Sequence, residues 1–107
     1  MKMKEKDGKK TYKDLTLYLD NESYLNLQEI ARILDMSIQD YILYRFIAFF
    51  LNNENLAEKS KLRGGNRVVR IRVSKKIYDG LKKFTNEKTS LSEVIRRVIL
   101  PERGEIK

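Results

Sequence analysis

Two arginines, two positions apart, are the residues whose type and spacing best suit recognition chemistry in this chain. They stand in the segment NRVVRIRVS, where Arg70 and Arg72 alternate with valine and isoleucine. A period of two is typical of a β-strand, because successive side chains point to opposite faces. One face would join a core, and the other would present two guanidinium groups. Since a guanidinium can grip guanine O6 and N7 with two hydrogen bonds, we predict that this face enters a groove of DNA.

Catalytic chemistry is largely excluded by the composition. The chain has neither cysteine nor histidine, so disulfides, thiolate nucleophiles and histidine-based acid, base or metal sites are ruled out. No carboxylate pair stands in an evident pocket, and the pair Gly64-Gly65 is too short for a phosphate-binding loop. We therefore expect a protein that is not an enzyme, with no catalytic residue, no metal and no cofactor.

The charge favours an anionic partner. Lysine and arginine number 23 against 15 aspartates and glutamates, which gives a net charge of +8. The charge is uneven, with a net −4 over residues 14–51 and a net +7 over residues 67–107. Such a balance indicates a polyanion, nucleic acid before a membrane, although charge alone fits a merely soluble basic protein equally well.

The elements that must position the arginines occur twice along the chain. In residues 12–51, an alternating strand that carries Thr16 and Tyr18 precedes two helices, the first capped by Asp20 or Asn21 and the second, of about 14 residues, by Ser37. The same order recurs in residues 66–101, with Ser74 and Ser90 as caps and Pro101 as the stop of the last helix. Leu19 matches Val73, and Ile42 matches Ile95, so this is an internal repeat.

The repeat predicts one compact, mainly α domain with a short two-stranded antiparallel β-ribbon. A single strand-helix-helix unit has unpaired strand edges and buries too little surface, whereas two copies can pair their strands above their helices. Around this intrachain pseudo-dimer we expect a flexible basic tail over residues 1–11 and a C-terminal tail over residues 102–107. Residues 52–65 form a linker in which Gly64-Gly65 marks a hinge or turn.

The segments LTLYLD, SIQDYI and VVRIRVSKKIYDGLKKF, with TSLSEVIRRVIL, resemble the ribbon-helix-helix family of DNA-binding proteins. The resemblance covers residues 13–51 and 66–100, and it implies that the ribbon enters the major groove and reads bases. The implied base-reading residues are Thr16, Tyr18, Arg70 and Arg72. The implied phosphate-binding residues are at the starts of the second helices: Ser37, Ile38 and Gln39, and Ser90, Leu91 and Ser92. Family members often have glycine at the turn before the second helix; here Asp35 and residues 86–89 must serve.

In carrying two motifs in one chain, the sequence also resembles transcription regulators of hyperthermophilic archaeal viruses. The leading interpretation is therefore a sequence-specific regulator of transcription, either a repressor or an activator, that binds double-stranded DNA. We expect it in the cytoplasm, which is the cytoplasm of the host cell if the protein is viral. Because the two halves differ, we expect a non-palindromic site, with its stronger half under Arg70 and Arg72. Two alternatives stay open: a DNA-coating or architectural protein with little sequence preference, and an antitoxin-type repressor, for which the tail PERGEIK is short. The plainer interpretations are a solvated strand face and serines that only cap helices.

The second helix is more apolar than packing under a ribbon requires. Between residues 38 and 51 only Gln39, Asp40 and Arg45 are not apolar. The core-facing stripe needs Ile38, Tyr41, Ile42, Phe46 and Phe49. The others predict self-association into a dimer or larger assembly: Leu43, Tyr44, Ile47, Phe50 and Leu51. Alternatively, Leu56, Leu62 or Ile106 of the same chain covers them. The sequence has no signal-peptide pattern and no stretch of about 18 apolar residues, so we expect no membrane partner.

Overall fold

The structure, a computed structural model, describes residues 11–102. This part of the chain contains two strands and four helices in the order β1 (Tyr12–Leu19), α1 (Asn21–Ile33), α2 (Ile38–Leu51), β2 (Arg67–Ser74), α3 (Lys75–Lys82) and α4 (Leu91–Ile99). The prediction of a mainly helical fold with a short antiparallel ribbon is confirmed. Apart from Thr11 and Glu102, the predicted tails lie outside the described residues, and so does Ile106.

The two strands pair antiparallel along their whole length, from Tyr12 opposite Ser74 to Leu19 opposite Arg67. Alternate residues of both strands point into the core, and all are at most 4% exposed: Leu15, Leu17, Leu19, Val69, Ile71 and Val73. Each such side chain stabilises the fold by about 1.5–3 kcal/mol when fully buried. The apolar face predicted from the period of two is therefore the face that packs on the helices.

The second helix of each half packs beneath the strand of the other half. Helix α2 contacts β2, α4 contacts β1, and the two helices contact each other. The stripe predicted for the inner face of α2 is buried as expected: Ile38, Tyr41, Ile42, Phe46 and Phe49. On α4 the buried residues are Val94, Ile95, Val98 and Ile99. The core is thus shared between the halves.

All four helices begin at a capping side chain. Asp20, rather than Asn21, caps α1, and its carboxylate accepts from the backbone N–H of Ser23 at 2.8 Å. The predicted caps Ser37, Ser74 and Ser90 each accept from the third backbone N–H beyond, at 3.0–3.2 Å. Each cap is worth about 1 kcal/mol, which explains why these starts are sharp.

The turn between α1 and α2 and the turn between α3 and α4 are stabilised in two different ways. Asp35 adopts the left-handed conformation, with φ of 61°, at the position where a glycine would be free of strain. The second turn instead closes on Asn86, whose Oδ1 accepts from the backbone N–H groups of Lys88 at 2.8 Å and Thr89 at 2.9 Å. The prediction that Asp35 replaces the glycine is confirmed, and asparagine hydrogen bonding serves in the second half.

The linker is fastened to the domain. Leu62 is 3% exposed in the core, and the Ser60 hydroxyl lies 2.6 Å from the Arg96 carbonyl. Among the described glycines none has a positive φ, so Gly64 and Gly65 do not serve to permit a left-handed conformation. There is no room for a side chain at Gly65, because a Cβ there would lie 2.4 Å from the Cα of Asp20. Within residues 11–102, no helix is both long and apolar enough to cross a membrane.

Candidate nucleic-acid interface

The side of the ribbon that faces away from the helices, the open face, carries all four residues predicted to read bases. It also carries two residues that sequence reasoning missed, Asp14 and Val68, both of them exposed. The same period of two would have found them. The central positions of the open face are therefore Asp14, Thr16, Tyr18, Val68, Arg70 and Arg72.

The strand register sorts the open face into three cross-strand pairs. Asp14 lies opposite Arg72, Thr16 opposite Arg70, and Tyr18 opposite Val68. Side chains directly opposite in an antiparallel pair have Cβ atoms about 4.5–5.5 Å apart, so each pair acts as one chemical unit. Arg70 thus stands at the middle of the ribbon and Arg72 near one end, each beside a residue of the other half.

Arg72 forms an ion pair across the strands. Its Nε donates to Oδ1 of Asp14 at 3.1 Å, and both side chains are 70% exposed. An exposed pair of this kind contributes little to stability, about 0–1 kcal/mol. In the structure this pair places the guanidinium above the open face.

The predicted phosphate-binding segments stand at the starts of α2 and α4. The cap serines satisfy the N–H groups of Asp40 and Glu93, while the two N–H groups before each of these have no intrahelical carbonyl to bind. Together with the positive end of the helix dipole, such groups suit an anion. The Ser92 Oγ is buried and has no partner within residues 11–102, so Ser92 can offer an anion its backbone N–H but not its hydroxyl.

The local charges modify this attraction. Both helices carry an acidic residue in the first turn, Asp40 in α2 and Glu93 in α4. Glu93 is held by Arg97, with Nη2 2.8 Å from Oε2, and lies 3.9 Å from Arg96. The negative charge at the start of α4 is therefore partly balanced by the same helix.

One groove joins the start of α2 to the open face. Its volume is about 440 Å³, and its walls are Tyr24, Ile38, Gln39, Val68, Val69 and Arg70. The structure thus brings a predicted base-reading residue, Arg70, beside a predicted phosphate-binding residue, Gln39. The side chain of Ile38 belongs to the core, so only its backbone can face an anion.

Two cationic side chains of the ribbon lie over tyrosine rings near its ends, and sequence reasoning missed both contacts. The guanidinium of Arg67 lies 3.8 Å from the ring centroid of Tyr24, and it also donates to the Asn21 side chain. Nζ of Lys13 lies 5.3 Å from the ring centroid of Tyr78. In each case the cation and the ring come from different halves, which is why no local pattern revealed them.

The apolar residues predicted for self-association divide into two groups. Tyr44, Ile47 and Leu51 are exposed, Leu51 by 76%, and together they form the α2 stripe. Leu43 and Phe50 are half-buried against the core. The Phe50 ring reaches α3, because a Cβ at Gly80 would lie 3.0 Å from it. Leu62 and, in part, Leu56 also pack into the core, and yet the α2 stripe stays open.

The positive charge of Arg45 does not lie on the α2 stripe. Its guanidinium folds onto the end of α4, where it donates to the carbonyls of Val98 at 3.2 Å and Ile99 at 3.3 Å. It also lies 3.4 Å from Glu54. The single basic residue of α2 is thus a structural link between the halves, and the stripe beside it is apolar.

No protein-family model, curated protein or solved structure matches this chain. Within residues 11–102, no group of three or more histidine, cysteine, aspartate or glutamate side chains could hold a metal ion. The features that bear on function are the open face, the capped helix starts and the α2 stripe.

Proposed function

We propose that this chain is a sequence-specific double-stranded DNA-binding protein of the ribbon-helix-helix type that regulates transcription. The observation that carries the proposal is the open face itself, where Arg70 and Arg72 stand on a two-stranded ribbon beside a capped helix start. A two-stranded ribbon fits the major groove, which is about 12 Å wide, and arginine is the side chain best suited to guanine there.

The tandem pseudo-dimer is supported by contacts that recur between the halves. A shift of 54 positions relates Tyr24 to Tyr78 and Lys13 to Arg67, and it turns the Arg67–Tyr24 contact into the Lys13–Tyr78 contact. The same shift relates Thr16 to Arg70, which lie opposite each other in the ribbon. A two-fold axis at that pair would account for both relations. Such an axis is what two ribbon-helix-helix motifs need in order to share one core.

The helix starts supply the second part of the proposed interface. Ser37 and Ser90 cap equivalent helices, and each is followed three positions later by an acidic residue. We assign phosphate binding to the backbone of Ile38 and Gln39 and of Leu91 and Ser92. Phosphate contacts of this kind fix the register of a protein on DNA, whereas the ribbon side chains select the sequence.

Replacing both ribbon arginines tests the proposal. Each good arginine–guanine pair is worth about 1–3 kcal/mol of discrimination. Arg70→Ala combined with Arg72→Ala should therefore lower affinity for a selected site far more than affinity for random duplex. Lys82→Ala combined with Lys83→Ala removes the same charge from exposed positions of α3 and its end, and it should weaken both complexes alike. Equal losses on both DNAs from the arginine variant would refute base reading and leave only phosphate contact.

We also propose that the α2 stripe binds a second copy of the chain. The stripe is uninterrupted by free charge because Arg45 is engaged elsewhere, and an apolar helix face can pack on its own copy about a two-fold axis. The acidic first half and the basic second half would also suit contacts between neighbouring chains on DNA. This observation keeps the DNA-coating alternative open, since a coating protein must self-associate.

Light scattering at tens of micromolar protein should show a dimer or larger species, and Ile47→Glu should convert it to a monomer. Leu25→Glu is the matched control, because Leu25 is similarly exposed but lies on α1. Phe50 is unsuitable as the test position, since its ring packs against Gly80 within the fold. A wild-type monomer, with and without DNA, would contradict the self-association.

A further inference from the structure

The chemistry of the open face changes steadily along the ribbon. At one end, Asp14 and Arg72 form a charged pair, and in the middle Arg70 is paired with neutral Thr16. At the other end Tyr18 and Val68 lie opposite each other, 49% and 46% exposed. The two ends of one reading surface therefore offer different groups to whatever lies on it.

The charged end suits a G·C base pair. Arg72 uses its Nε for Asp14, so this hydrogen bond leaves the N–H groups of its two terminal nitrogens available to a ligand. Two adjacent N–H donors match guanine O6 and N7, and the Asp14 carboxylate can accept from the cytosine N4 amino group. Since the ion pair lies on the open face beside the bases to be read, the role assigned to Asp14 in this inference is that of a positioning residue for Arg72.

The apolar end suits an A·T base pair. Val68 has no hydrogen-bonding group in its side chain, so it can distinguish base pairs only by apolar contact. Its methyl groups and the Tyr18 ring can contact the C5-methyl group of thymine, the one apolar group that a base pair presents in the major groove. The exposure of both side chains on the same face leaves this contact open.

We propose that the ribbon reads its DNA site with a fixed polarity, guanine under Arg72 and Asp14 and thymine under Tyr18 and Val68. This inference rests on the proposed function, and it deepens that function by assigning a base type to each end. The two end pairs are four positions apart along each strand. At about 3.3 Å per residue of strand and 3.4 Å per base, the two preferences should fall roughly four base pairs apart.

Selection of bound sequences from a random duplex pool tests the polarity directly. Each chain should enrich one non-palindromic motif, with a G·C pair near one end and an A·T pair near the other, and two associated chains should enrich two copies of it. Arg72→Ala should erase the G·C preference, with a loss of about fivefold to 150-fold in discrimination at that position. Val68→Ser should erase the thymine preference and leave the G·C preference intact.

Asp14→Asn separates positioning from simple charge. Removing a carboxylate from a DNA-facing surface should raise affinity for random duplex, while releasing Arg72 should lower discrimination for guanine severalfold. Asp79→Asn is the control, because it removes an exposed carboxylate that pairs with Lys75 on α3, away from the open face. If Asp14→Asn strengthens binding to both DNAs equally, with discrimination unchanged, Asp14 is only a repulsive charge and the positioning role is wrong.

The outcomes distinguish this inference from the proposed function. If the wild-type chain enriches no motif, sequence-specific binding fails and the polarity fails with it. If the part of the motif under one chain is itself palindromic, or its ends do not respond to Arg72→Ala and Val68→Ser, the proposed function stands and the polarity is overturned. Melting curves that match the wild type confirm that each variant folds.

Discussion

Replacing Gly65 with alanine should destabilise the protein strongly, although glycine-to-alanine changes in ordinary backbone conformations usually stabilise. A Cβ at Gly65 would lie 2.4 Å from Cα and 2.7 Å from the backbone N of Asp20. These are backbone atoms, so the linker and the start of α1 must move apart. The hydrogen bond from the Asp20 N–H to the Arg63 carbonyl, at 2.8 Å, lies at this contact and would be strained or lost.

The size of the effect follows from four contributions. Overpacking of this kind costs about 1–3 kcal/mol. The lost backbone hydrogen bond and a disturbed Asp20 cap add about 1 kcal/mol each. The smaller entropy of the unfolded alanine chain offsets about 0.4–1 kcal/mol. The net loss is about 2–4.5 kcal/mol, which for a domain of this size lowers Tm by roughly 10–25 °C.

Gly64→Ala is the matched control for the thermal unfolding assay. Its Cβ would lie 3.2 Å from Nη1 of Arg96, the far end of a flexible side chain that can move aside. We expect a Tm close to that of the wild type, or slightly above it. If circular dichroism gives both variants the same Tm, the close approach of the linker to Asp20 does not constrain the fold.

Two further predictions concern stability. Arg45→Met keeps the apolar stem of the side chain but removes the donors to the Val98 and Ile99 carbonyls. Urea unfolding should show that the free energy of unfolding falls by about 1.5–3 kcal/mol. The control Arg32→Met, which removes an exposed ion pair, should lower it by less than about 1 kcal/mol. The pKa of Asp20 is lowered from 3.8, first by the hydrogen bond from the Ser23 backbone, then by the Ser23 hydroxyl and by the charge of Arg63. Because the pKa of Asp20 is lower in the folded state, its ionised carboxylate stabilises the fold at pH values above the unfolded-state pKa. This contribution is lost as the pH falls through the folded-state pKa. The difference in free energy of unfolding between wild type and Asp20→Asn should therefore shrink below about pH 4. A difference that stays constant down to about pH 2 would contradict this linkage.

Sequence patterns located the elements because each pattern depends on local physics. The period of two defined the open face, and Ser37, Ser74 and Ser90 marked helix starts that the structure places at the same residues. The buried stripe of α2 followed from helical spacing for the same reason. Local rules of this kind hold wherever the partner of a group lies within a few positions.

Other features depend on residues that are distant in sequence. The lack of room for a side chain at Gly65 could not be predicted, because nothing near it in the sequence reveals Asp20 as its neighbour. Leu62 joins the core as a single apolar residue in a polar linker, where no period could mark it. Likewise, the partnership of Asp14 with Arg72 requires the strand register, which a period of two leaves unspecified.

Both strands of the ribbon belong to one chain, and the strand ends closest to the linker, Leu19 and Arg67, lie opposite each other. A ribbon built from two separate chains comes apart on dilution, so its surface exists only where those chains are abundant. Here the closing step is unimolecular, and the linker sets an effective concentration of one strand for the other that dilution cannot change. A partner of the open face therefore meets a complete surface even at the lowest copy number. A break in the chain between Leu19 and Arg67 would make that surface depend on protein concentration.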